Sequence, residues 1–76
     1  MKLLPDTVCE ILESGCGLTI DASGSLPDTL KRYAASARIG NAHLTLVNIA
    51  VLRPDTMKEI GRQGQGHVTI DLVTKL

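Results

Sequence analysis

Seventy-six residues bound this chain to a single domain, near the lower limit of what folds alone without a metal or disulfides. Eight basic and eight acidic residues leave a formal net charge of zero, and Tyr33 is the one aromatic residue. That balance excludes the basic stripe and the stacking rings of nucleic-acid binders. An apolar fraction of 43% is too high for a disordered chain.

The chain opens on Met1-Lys2-Leu3-Leu4, but Pro5, Asp6, Glu10 and Glu13 interrupt any signal-peptide core. No apolar run approaches the length of a membrane span, so a cytoplasmic protein without membrane contact is expected. Leu4, Val8, Ile11 and Leu12 fall at i, i+4, i+7 and i+8, which predicts a first helix closed by Gly15. Leu18-Thr19-Ile20-Asp21 alternates as a strand does. A second helix follows on Leu26, Leu30, Tyr33 and Ala34, with Gly40 as its breaker, and a second strand on Leu44-Thr45-Leu46-Val47. Met57 and Ile60 carry a third helix, where Gly61 takes the next place on the apolar stripe and Gly64 is the expected stop. Val68-Thr69-Ile70-Asp71 then begins a third strand, which apolar residues permit to run on to Leu76 as a long edge.

Three gapless matches, Leu4-Pro5-Asp6-Thr7, Leu26-Pro27-Asp28-Thr29 and Arg53-Pro54-Asp55-Thr56, show that these elements are copies of one unit. The prolines are 22 and then 27 residues apart, and the longer second unit is expected to carry its extra length as a connection from Ala37 to His43. Each Pro-Asp-Thr reads as a helix start, with proline in the first turn and Asp on the positive end of the helix dipole. Thr7 with Glu10, and Thr56 with Glu59, are alternatives as capping boxes. Helix and strand in alternation imply parallel pairing through right-handed crossovers. The fold class is therefore α/β: a single domain, 1–76, of three tandem helix–strand units (about 1–24, 25–50 and 51–76). Its three-stranded parallel sheet has order 1-2-3, with the helices on one face.

The segments Leu44-Thr45-Leu46-Val47-Asn48 and Leu18-Thr19-Ile20-Asp21, with Leu26 and Leu52 as following loop leucines, resemble the leucine-rich repeat in its helix-bearing variety. Ser23 and Ile49 stand where that family places its loop asparagine. The resemblance implies a scaffold that binds partner proteins on its strand face.

Alignment of the units lays out that face in rows: Gly17, His43 and His67; then Thr19, Thr45 and Thr69; then Asp21, Val47 and Asp71. Thr19, His43, Thr45, His67 and Thr69 are the candidate binding residues. Two histidines on neighbouring strands invite a metal reading, but Asp21 and Asp71 lie about 13 Å along the strand, too far to complete a ligand set. No metal, cofactor or catalytic residue is assigned, and surface or structural histidines are the commoner case. The glycine-rich run from Gly61 to His67 follows a helix and leads into a strand, the reverse of a phosphate loop. Cys9 and Cys16 suit reduced thiols. Cys9 aligns with Lys31 and Lys58, which predicts an exposed thiol or one at a subunit contact. Ile39, in the long connection, is either an exposed contact residue or a satellite of the core.

The expected function is a non-enzymatic protein-interaction or assembly module that self-associates as a homodimer, without nucleic-acid or membrane partners. The alternative is a small ligand- or metal-binding regulatory protein, or an enzyme, using the His43/His67 face.

Overall fold

Proline's fixed φ suits the first position of a helix, and its missing N–H costs nothing there. Pro5, Pro27 and Pro54 each begin a helix on that account. A residue before proline is pushed towards extended backbone, and Leu4, Leu26 and Arg53 cap their helices at ψ of 149°, 149° and 150°. The carbonyls of these three residues accept from the N–H groups of Val8, Leu30 and Met57, each at 3.1 Å. Thr7 and Thr56 consequently lie inside the first turn, no side chain caps any of the three helices, and the alternative capping boxes are not formed.

The computed structural model describes residues 4–24, 26–49 and 53–73. Over them run α1 (Pro5–Glu13), β1 (Leu18–Asp21), a 3-10 turn (Ala22–Gly24), α2 (Pro27–Ile39), β2 (Leu44–Val47), α3 (Pro54–Gly64) and β3 (Val68–Ile70). The strands form one parallel sheet in the order β1-β2-β3. Its register sets Leu18, Leu44 and Val68 side by side, then Thr19, Thr45 and Thr69, then Ile20, Leu46 and Ile70.

Period-two alternation divides the sheet into two faces. Leu44 and Leu46 are fully buried with Leu12, Leu30 and Ile60 from the three helices. Leu18, Ile20, Val68 and Ile70 pack on the same core. The helices thus lie together on one face, as the alternating strands predict. Tyr33, Ala34 and Ala37 complete the centre of this layer on α2.

Helix ends differ from the expectation in an instructive way. After α1, Gly15 takes φ +98°, and the N–H groups of Gly15 and Cys16 donate to Leu12 and Ile11, a Schellman closure. After α2 the same closure is built on Asn41, at φ 54°, with the N–H groups of Asn41 and Ala42 donating to Arg38 and Ala37. Gly40 is therefore not the breaker. A Cβ at position 40 would stand 2.0 Å from the Leu12 carbonyl oxygen and 2.6 Å from Glu13 Cα, so glycine is there to let α1 and α2 approach. Gly64 likewise ends α3 from within, where a Cβ would meet Val68 Cγ2 at 2.3 Å and Ala34 Cβ at 3.6 Å. Gln65 and Gly66 make the left-handed turn instead.

Three other expectations are corrected. α2 continues through Arg38 and Ile39, so the connection shrinks to 40–43, and Ile39 stands 67% exposed at the helix end, not tucked beneath a loop. β3 stops at Ile70 and the chain bends at Leu72 and Val73, because the Asp71 carboxylate accepts the Val73 N–H and closes a turn. Leu52 and residues 74–76 of the expected edge strand lie outside the described residues. Cys9 is buried between helices. Its position faces the next unit, and the equivalent Lys31 is half-buried and Lys58 exposed among the described residues.

These packings set a contrast between two glycines. Gly40→Ala forces backbone apart and is expected to destabilise the fold by about 1–3 kcal/mol or more. At Gly61 a Cβ would have nothing within 4 Å. Substitution there by Ala is expected to gain about 0.5–1 kcal/mol from helix propensity. Urea denaturation of the two variants measures both; equal effects would remove the close approach at Gly40 from the account.

Candidate functional site

The face turned away from the helices carries the predicted rows. Thr19 and Thr69 are exposed on the outer strands, and Thr45 is half-buried on the central one. His43 is exposed and His67 half-buried at the start of their strands. All five predicted residues therefore share one face, and each histidine makes a hydrogen bond to the neighbouring unit. His43 Nε2 and the Thr69 hydroxyl oxygen are 2.5 Å apart, a diagonal contact that a long imidazole spans from one strand to the next. His67 Nδ1 lies 2.9 Å from the Ala42 carbonyl oxygen. A carbonyl only accepts, so Nδ1 carries the proton in that bond.

The third row behaves differently from the reading of it as open surface. Val47 is 3% exposed although it points away from the helices and stands outside the main core cluster. It is the central member of its row, with Asp21 as its register partner on one side. On the other, the Asp71 N–H donates to Leu46 and holds that residue alongside.

Asp21 is a turn-former. One carboxylate oxygen accepts from the Ser23 N–H at 2.8 Å and the Ser23 hydroxyl at 2.6 Å. The other accepts from the Asn48 amide at 2.9 Å. Asp71 repeats the device with the Val73 N–H. These acids thus end their strands by bending the chain, the local competition with the ladder that Asp offers. Ser23 and Asn48 are the members that sequence reasoning missed. The Asp-x-Ser spacing after a strand was a signal for the first, whereas Asn48, at φ 55°, meets Asp21 only through the fold.

Bonds from the Ser23 hydroxyl, then the Ser23 N–H and then Asn48, hold the Asp21 carboxyl below the ordinary carboxylate value against a small opposing effect of burial. Among the described residues, no group of three or more His, Cys, Asp or Glu side chains is placed to hold a metal ion. No helix among them is long and apolar enough to cross a membrane. The arrangement is a hydroxyl- and imidazole-bearing surface rich in donors and acceptors. Comparison with protein-family models, curated proteins and solved structures finds no match to this chain.

A group whose folded pKa is depressed adds stability above its unfolded pKa and loses it as pH falls through the folded one. The stability difference between the native chain and Asp21→Asn is therefore expected to be largest near neutral pH and to shrink below about pH 4. Denaturant titrations at a series of pH values read this directly; a difference that does not vary with pH would show that the ionised carboxylate contributes nothing.

Proposed function

We propose that this chain is a non-enzymatic protein-interaction and assembly module, and that its threonine–histidine face receives a second copy of the chain. One observation carries the reading: a parallel sheet has all its helices on one face. Parallel sheets are ordinarily covered on both sides, and here Thr19, His43 and Thr69 are exposed on the side without helices. A core without Phe or Trp adds weight, because small cores gain buried area by association.

Two copies laid sheet to sheet about a two-fold axis use the same patch twice, so this assembly closes at a dimer. Hydroxyls at the centre suit such a contact: each donates and accepts, and none must be stripped of a full charge. The likeness of the Leu-x-Leu strands to leucine-rich repeats supports the same use of the strand face.

Sedimentation velocity over a wide concentration range tests the proposal. The expected result is a concentration-dependent association whose face-to-face step Thr45→Arg weakens at least tenfold, with the fold retained by circular dichroism. A mass that stays monomeric at every concentration, or a dimer indifferent to Thr45→Arg, would overturn it.

A further inference from the structure

The internal boundaries of the stack show what one unit needs from the next. Counting from each proline, the eighth residue is Leu12, Ala34 or Gly61. Leu12 and Ala34 are fully buried, whereas Gly61 is exposed with nothing within 4 Å of a Cβ. The fifth residue is Cys9, Lys31 or Lys58, and exposure rises in that order from buried through half-buried to exposed. These positions form the flank that each helix turns towards the following unit, and on α3 that flank is open among the described residues.

The opposite flank is defined by Arg32, sixth from its proline, whose guanidinium reaches back to Asp6 on α1 at 2.8 Å. On α3 the equivalent residues are Glu59 and its neighbour Ile60, the latter fully buried. On α1 they are Glu10 and Ile11, exposed and half-buried with no preceding helix among the described residues.

Placed together, the two open flanks resemble a boundary the molecule already makes. At the α2/α3 boundary Ala34 and Ile60 are fully buried, and a Cβ on Gly64 of α3 would stand 3.6 Å from Ala34 Cβ. At the open flanks the equivalent residues are Gly61 on α3 and Ile11 on α1, the first smaller than Ala34 and the second identical to Ile60 in type. The strands agree: β3 reads Val-Thr-Ile and β1 Leu-Thr-Ile, so continuing the register would pair Thr69 with Thr19 and keep the apolar residues on the helix side. End units that remain solitary carry a polar outer face, and a half-exposed isoleucine opposite a bare glycine is the reverse of that.

We propose that the two ends of this stack are complementary to one another, and that copies of the chain join end to end, α1 of one docking on α3 of the next. This shares with the proposed function the premise of self-association but uses a different surface. Such a contact is heterologous. It leaves one free end of each kind on every assembly, and so it grows past a dimer.

Gly61→Arg is the diagnostic variant. It fills the open flank of α3, starts from a position where a Cβ meets nothing within 4 Å, and leaves α1 free to dock, so it terminates growth. With the full chain, sedimentation velocity and light scattering are expected to show masses beyond a dimer that rise with concentration. Gly61→Arg alone is expected to lose that growth while unfolding no more easily than the native chain. With Thr45→Arg present in both copies to remove the face contact, an equimolar mixture of blocked and unblocked ends is expected to settle at a mean of about two copies per assembly, because every stack then ends on one blocked copy. Growth that stops at a dimer, is unaffected by Gly61→Arg, and is abolished by Thr45→Arg would overturn end-to-end joining and leave the face-to-face reading standing. Growth abolished by Gly61→Arg and indifferent to Thr45→Arg would do the opposite, and a monomer at all concentrations would remove both.

Discussion

Adjacent parallel strands lie about 4.8 Å apart, while packed helices lie about 8–10 Å apart. A repeat that stacks one strand and one helix per unit has to reconcile these spacings, and much of this molecule follows from how it does so. The helix–helix seams are made of small residues. Gly40 lies against the backbone of Leu12 and Glu13, and Gly64 against Ala34. Cys9 and Ala37 are buried in the same layer. The large side chains are kept for the space between helices and sheet, where Leu12, Leu30, Leu44, Leu46 and Ile60 are fully buried. The absence of Phe and Trp is consistent with that division, since a wide ring in a seam would push the helices further from the spacing the strands impose.

The same constraint leaves surfaces behind. With every helix drawn to one side, the threonine row has no helix over it among the described residues, and the outer edges of β1 and β3 have no partner strand among them. The turns that end the strands, built on Asp21 and Asp71, also halt the ladder early. A short edge limits unspecific strand pairing, so any partner at that edge must be chosen largely by the helices beside it.

Much of the architecture was legible because it rests on local chemistry. Pro-Asp-Thr can begin a helix with neighbours of almost any kind, and apolar-Thr-apolar can form a strand wherever one face is buried. Parallel order then follows from chain geometry. The threonine row was legible for the same reason: once similar units are aligned in register, Thr19, Thr45 and Thr69 lie side by side. Gly40 and Gly64 were legible as glycines near helix ends but misread as breakers, because sequence shows a missing side chain without showing what would occupy its space. Cys9 was misread because its repeat partners are lysines, and the burial of a position depends on whether another unit follows it.

By itself, then, the sequence determined the units, their direction, their register and the two-faced alternation of the sheet, all of which depend on residues within a few positions of one another. Tertiary structure decided which copies of an equivalent position are covered: Cys9 and not Lys58, Ala34 and not Gly61, Val47 and not Asp21. It also brought Asn48 to Asp21 and His43 to Thr69. The physical reason is that burial and hydrogen bonding between units depend on what stands beside each unit. A repeated sequence can state that dependence only once its copies have been stacked.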